Sequence, residues 1–413
     1  MLRHCSPKSG SDSRNRSAKT PLRRRSTRDR VRARVHAADV YKLVEDVFGD
    51  SLHAKRVESL SRATTGVIHA AALSVSAVGR ALALSQGTLA KHGIKQVDRL
   101  LSNTALKPEE LFAAWVPFVL GDRTEARIAL DWTHFDADGH STIAAYLITT
   151  HGRATPLIWR TFPDTELGDG GRNDAEDLLL LRLRELISES TKVILLADRG
   201  FGNVKLYSML DEWGWDYVVR FRKGILVTTA AGQTKPVEEC VSPKGHSKAV
   251  RGARLTQSEY AVGAVVTVHA KGMKEAWYLA TSLKEAPARD VVNLYSRRFT
   301  IEETFRDQKD ARFGLGMRHT RVKTVDRRDR LFFLAALAQA LLTLLGAAGE
   351  RCALDRTLKA NTSTKRSLSL FKQGCFWFEA IPNMRDDRLR MLMKAFGEVV
   401  REHQVIRAAL GII

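Results

Sequence analysis

Cysteine is scarce in this 413-residue chain, and the four present, Cys5, Cys240, Cys352 and Cys375, stand far apart. No pair has C-x-x-C spacing, which excludes zinc ribbons and fingers. Scattered thiols in a chain of this size point to a reducing compartment, and the expected location is the bacterial cytoplasm, on the nucleoid. The arginine-rich start lacks an apolar core, so no signal peptide is expected. H-E-x-x-H, G-x-S-x-G and G-x-x-x-x-G-K-[ST] are all missing. That removes the zinc-protease, serine-hydrolase and phosphate-loop patterns. The glycines of GDGGRN, 168–173, have no phosphate-loop frame and read as a connector. Internal repeats are absent. Only one apolar run, 331–349, is long enough to cross a bilayer. It contains Gln339, ends in Gly and Ala, and follows a cluster of arginines. It reads as a buried core helix, so no membrane partner is expected.

Acidic residues are in deficit. Sixty-six Lys and Arg face 46 Asp and Glu, a net charge of +20. A surplus of that size favours a polyanionic partner, DNA or RNA. Half of it lies in residues 1–38, which carry twelve basic and two acidic residues. This segment is rich in Ser and Arg, has no apolar period and is expected to be disordered. It serves either as a tail sliding on phosphates or as an extension without function.

What remains divides by pattern. Residues 39–110 show apolar spacing of helical type with scattered cations, among them Lys55, Arg56, Arg62, Arg80, Lys91, Lys95 and Arg99. A small basic helical domain ahead of a larger one suggests DNA binding, although no recognition helix stands out. From 121 the pattern turns to strands. RIALDWTHFD, STIAAYLITT and ATPLIWRTF read as an antiparallel meander. A helix over 174–190 follows, with Asn173 or Asp174 as its N-cap. VILLAD, 193–198, is a continuous apolar run ending in an acid, as suits a strand buried on both faces. A helix at 203–213 and a strand at 216–221 complete the order β-β-β-α-β-α-β. That is the order of a ribonuclease H-like core. Residues 224–283 read as a mostly β insertion, and Pro287 opens one long helix over about 288–310. The expected architecture is therefore α/β: a catalytic core over 121–223 and 284–350, interrupted by the insertion, preceded by the helical domain and followed by helices over 351–413.

Within that core, acids stand where apolar residues belong. Asp131 directly follows the apolar part of the first strand, and Asp198 ends the fourth. Those strands are neighbours and parallel in this topology, so the two acids should meet. Glu302 is the third. In YSRRFTIEETFRDQK, 295–309, Tyr295, Arg298, Glu302 and Lys309 fall within an arc of about 60° on an ideal helix. Val291 lies in the same arc, so these polar residues share the face expected to pack on the core. Polar groups on a buried stripe need partners, and a site supplies them. Glu303 and Asp307 are the alternatives; Glu303 points about 100° away from Glu302. Three carboxylates suit two Mg²⁺ ions acting on a phosphodiester. His134, His140 and His151, near Asp131, read as surface or structural residues.

The spacing Y-x2-R-x3-E-x6-K, together with DRGF at 198–201 and the Asp131 strand, resembles the DDE transposases of the insertion-sequence 4 family. The resemblance covers most of residues 40–350. It implies a ribonuclease H-like domain with a β-rich insertion before the glutamate. It also implies metal-dependent excision and strand transfer through hairpin DNA ends, with Asp131, Asp198 and Glu302 as metal ligands. The cofactor is Mg²⁺, with Mn²⁺ able to substitute. Tyr295, Arg298 and Lys309 become DNA contacts. Trp277 matches the residue that receives a flipped base, and equally reads as a core tryptophan in a strand. The implied partners are terminal inverted repeats, target DNA and a second copy of the chain. Two other readings share these residues: an inactive DNA-binding relic that inhibits transposition, and a ribonuclease H-like repair nuclease.

Overall fold

A computed structural model describes residues 39–401 apart from 169 and 313. The basic segment 1–38, expected to be disordered, lies outside the described residues.

Five helices come first: α1 (39–48), α2 (Ala54–Ala70), α3 (Val75–Gln86), α4 (Ala90–Leu101) and α5 (Pro108–Leu120). Local chemistry sets their ends. Ser74 caps α3 by accepting from the Ala77 N–H, and Pro108 opens α5 where a missing N–H costs nothing. Trp115 of α5 is fully buried and donates its indole N–H to the Pro156 carbonyl at 2.9 Å. This bond ties the helical region to the sheet.

The sheet begins with β1 (Glu125–Phe135), β2 (His140–Leu147) and β3 (Thr155–Pro163), the expected meander. Then come α6 (Gly171–Leu186), β4 (Lys192–Ala197), α7 (Val204–Glu212) and β5 (Asp216–Arg220). Helix α6 starts three residues before the expected Asp174, because Gly170 turns the chain at φ 96° without any side-chain cap. Neither Asn173 nor Asp174 is its N-cap. In α7 the cap is a side chain: Asn203 accepts from the Leu206 N–H at 2.8 Å.

The β-rich stretch supplies β6 (Leu226–Thr228), β7 (Thr234–Pro236), β8 (Lys248–Arg251), β9 (Arg254–Leu255), β10 (Tyr260–Ala261), β11 (Ala264–Val268) and β12 (Trp277–Thr281). Its strands part company. β12, β11 and β8 extend the central sheet, giving the order β3-β2-β1-β4-β5-β12-β11-β8, while β10, β9, β6 and β7 form a separate small sheet. β1 and β4 are parallel neighbours, as the strand order required.

The expected single helix over 288–310 is two: α8 (Ala288–Ser296) and α9 (Phe299–Lys309). Between them the backbone tightens. The N–H groups of Arg297, Arg298, Thr300 and Ile301 each bond the carbonyl three residues back. Last come α10 (Val325–Arg351), α11 (Leu370–Ala380) and α12 (Asp386–Arg401). Helix α10 holds the long apolar run, which is wholly buried. Being apolar on every side, it can stand only in a core, and it packs on α2, β3, α11 and α12.

Candidate active site

The parallel pairing of β1 and β4 makes the site. Leu130 is opposite Ala197, and the register carried one residue further brings Asp131 level with Asp198. Both acids therefore leave the carboxyl end of the sheet side by side. Asp131 accepts from the Trp132 N–H at 2.9 Å and from Arg298 Nη1 at 3.0 Å. Asp198 accepts from the Tyr295 hydroxyl at 3.3 Å and lies 4.0 Å from Arg220.

The turn between α8 and α9 delivers the remaining groups. Tyr295 is fully buried and Arg298 is 3% exposed. Arg298 spans the site: Nη1 holds Asp131, while Nη2 donates to Glu302 Oε1 at 2.5 Å. Glu302 itself is not on a buried stripe; its side chain is 49% exposed. The tightened turn changes the angular spacing, so the ideal-helix arc does not hold across it. The fully buried acid is instead Asp307, one of the alternatives. It is paired with Arg153 at 2.5 Å and Lys372 at 3.2 Å, away from Asp131. Glu303 is likewise taken by Arg306 and Arg153. Of the three acids on α9 considered from sequence, only Glu302 reaches Arg298. At the end of α9, Lys309 donates to Thr133 Oγ1 at 2.9 Å and to the His134 carbonyl at 2.8 Å.

Trp277 opens β12, half-buried. Its ring centroid is 5.1 Å from Tyr295 and 5.7 Å from Phe299. The tryptophan, the tyrosine that holds Asp198 and a partly exposed phenylalanine form one aromatic wall.

The electrostatics follow from crowding. Burial raises the Asp131 carboxyl to about 6, and the charges of Glu302 and Asp198 push the same way, against Arg298 and the Trp132 N–H. Burial works against the charge of Arg298, but Tyr295 and the three acids hold it protonated. Lys309 is brought down to about 8, by burial first and then by Arg318. Among the described residues no three His, Cys, Asp or Glu side chains stand close enough together to hold a metal ion as they are. The three carboxylates are all-oxygen donors of the kind Mg²⁺ prefers, and their mutual repulsion is what a cation relieves. The donor set therefore fits a hard divalent ion, with Arg298 now supplying the opposing charge.

The family model "Transposase DDE domain" matches residues 122–341, just over half of the chain. The chain belongs to the DDE transposase family. No curated protein matches it. The matched span of this transposase runs from β1 into α10 and contains Asp131, Asp198 and Glu302. DNA is the partner the family implies.

Several residues of the transposase site escaped the sequence reading. Arg220 closes β5, 9% exposed, between Asp198 and Glu275; its bond to Glu275 is 2.7 Å. Glu275 lies two residues before Trp277, so this pair pins the start of β12 to the Asp198 side of the sheet. A cation ending an apolar strand next to VILLAD was the available signal. Glu176 of α6 is 8% exposed and accepts from Trp132 Nε1 at 2.7 Å. Burial raises its carboxyl to about 7. No sequence pattern pointed to it. The histidines are structural: His140 and His151 are buried, not on the surface, and His134 bonds Ser141 at 2.7 Å.

Proposed function

We propose that the protein excises and inserts an insertion sequence of the 4 family by a DDE mechanism, with Asp131, Asp198 and Glu302 as the metal-holding triad. The observation that carries this reading is the bridge made by Arg298. One buried guanidinium joins the acid of β1 to the acid of α9, beside the acid of β4. Two Mg²⁺ ions, or Mn²⁺ in their place, would activate the attacking oxygen and stabilise the leaving one. Arg298 then has to release Glu302, and its freed donors face the position of a DNA phosphate. Tyr295 orients Asp198, and Lys309 adds a cation on the β1 side. The DNA steps proposed are a nick, attack of the freed 3′ hydroxyl on the opposite strand to close a hairpin, reopening, and transfer of the 3′ ends to target DNA. A tight hairpin requires a base to leave the stack, at a cost of a few kcal/mol. Trp277 would receive it on the aromatic wall. The helical region before residue 110 binds terminal repeats, and two copies of the chain, through their C-terminal helices, bring two ends together.

The test is cleavage of duplexes carrying the inverted repeats that flank the gene. Wild-type protein should nick them only with Mg²⁺ or Mn²⁺. Glu302→Gln and Asp198→Asn should bind the same duplexes without cutting. Full cleavage by either variant overturns the triad.

A further inference from the structure

We propose that α3 and α4 form a helix–turn–helix and that α4 reads base edges in the major groove of duplex DNA. The proposal rests on the transposase reading for its partner and adds the element that recognises sequence.

Helices α2, α3 and α4 pack as a three-helix unit. Only Gly87, Thr88 and Leu89 separate α3 from α4. Gly87 makes that turn at φ 66°, closing α3, and the Thr88 N–H bonds the Ala83 carbonyl at 2.9 Å. The crossing of the two helices is backbone on backbone. A Cβ on Gly79 would lie 2.3 Å from Ile94 Cα, and one on Gly93 would lie 2.1 Å from the Gly79 carbonyl oxygen. No side chain fits at either place. These glycines fix how α4 sits on α3, and hence which face it presents.

That face is basic and uncommitted. Helix α4 buries Gly93, Val97, Leu100 and Leu101. Lys91, Lys95 and Arg99 recur every four residues on the exposed side, with His92 and Gln96 beside them. An ordinary solvated helix neutralises such a row along its own length, as Glu58 does for Arg62 on α2. On α4 the sole acid, Asp98, is committed at 2.7 Å to Arg327 of α10. None of the three cations has an ion pair or side-chain hydrogen bond among the described residues. At about 1.5 Å per residue the twelve-residue helix outreaches the major groove, about 12 Å wide.

A second observation stands next to it. A cleft of about 250 Å³ separates α2 from α4, lined by Arg56, Ser59, Arg62, Gln96, Arg99 and Asn103. It offers guanidinium and amide donors where a helix entering the groove brings the DNA backbone. At the start of α4, Leu89 is 63% exposed, an apolar group suited to a thymine methyl.

The unit is also tied to the chemistry. Arg330 of α10 donates to the carbonyls of Leu101 and Leu106 at 3.0 and 2.7 Å. The Leu73 N–H, at the α2–α3 corner, bonds the Leu315 carbonyl at 2.8 Å, six residues beyond Lys309. Reading on α4 therefore fixes where DNA lies relative to Asp131.

The experiment is selection from a pool of random-sequence duplexes by the full-length protein. Wild type should enrich one motif. Lys95→Ala/Gln96→Ala should lose or change that motif and bind the selected duplex about tenfold more weakly or worse, with its melting temperature unchanged. Its affinity for unselected duplex should fall by less. Arg99→Ala should weaken both and lower the salt slope by about one. Wild type enriching no motif overturns the proposal, and so does a double variant that enriches the same motif within twofold of wild-type affinity. Asp198→Asn separates this from the cleavage reading: it should enrich the wild-type motif while failing to cut.

Discussion

Arg298 lies 3.0 Å from Asp131, although 167 residues separate them in sequence. It is the only cation hydrogen-bonded to that carboxylate among the described residues. Asp131 is held up at about 6 by burial and by its neighbouring acids even with Arg298 present. Replacing Arg298 with Ala removes the opposing charge, so Asp131 keeps its proton to higher pH. Cleavage at pH 7 should fall at least about tenfold, and the acid limb of the pH–rate profile should move to higher pH. An unmoved limb would separate Arg298 from the ionisation of Asp131.

The same crowding costs stability. The folded chain retains a proton on Asp131 that the unfolded chain releases near 3.8. Stability from this group is therefore lost as pH rises from about 4 through about 6. Asp131→Asn should abolish cleavage yet raise the melting temperature by about 2 °C or more at pH 7.5, with little gain at pH 4. Thermal unfolding at the two pH values checks this.

Lys309 carries its proton only to about pH 8. If its charge holds DNA, affinity for end DNA should decline as pH rises through 8. Lys309→Arg keeps a charge throughout and should flatten that decline. Binding titrations from pH 7 to pH 9 give the answer; parallel curves would assign the decline elsewhere.

Trp277 should matter at one step. Trp277→Ala leaves the triad in place, so the first nick should proceed while hairpin closure slows by about tenfold, equivalent to about 1.4 kcal/mol of lost stacking. Nicked DNA would then accumulate on a denaturing gel. Equal slowing of nick and hairpin would mean that the ring supports Tyr295 and not a base.

Glu176 offers a control outside the triad. Its carboxyl stays protonated to about 7, so its contribution to stability is lost as pH rises from about 4.5 to about 7. Glu176→Gln keeps an acceptor for the Trp132 indole. It should melt higher than wild type at pH 8 and the same at pH 4. A lower melting point at pH 8 would mean that the ionised form is the one the fold favours.

What could be read from sequence was what periodicity and charge placement encode. VILLA had to be a buried strand, and Asp198 had to emerge from its end. The meander and the parallel neighbour followed from the order of elements. The break between α8 and α9 was not legible, because 295–302 contains no glycine or proline. Contacts of Tyr295 with Asp198 and of Arg298 with Asp131 accompany the break, and both partners are remote in sequence. Helix α6 begins at a glycine with no capping side chain, so its true start left no signal. Glu176 and Arg220 were missed because burial at a sheet end depends on which elements pack there. The helix–turn–helix was hidden by Gly79 and Gly93, which lower helical propensity yet allow the crossing.

The central sheet runs without interruption from β3 to β8, so the strand that begins at Trp277 is laced to β5 through Leu279, Ala280 and Thr281. The small sheet hangs outside this lattice, and its exposed tip at 229–233 touches none of the groups discussed. A fluorophore or an epitope spliced into that tip would ride on the transposase without disturbing the spacing between tryptophan and triad. The molecule thus carries its own attachment point for watching a single excision event.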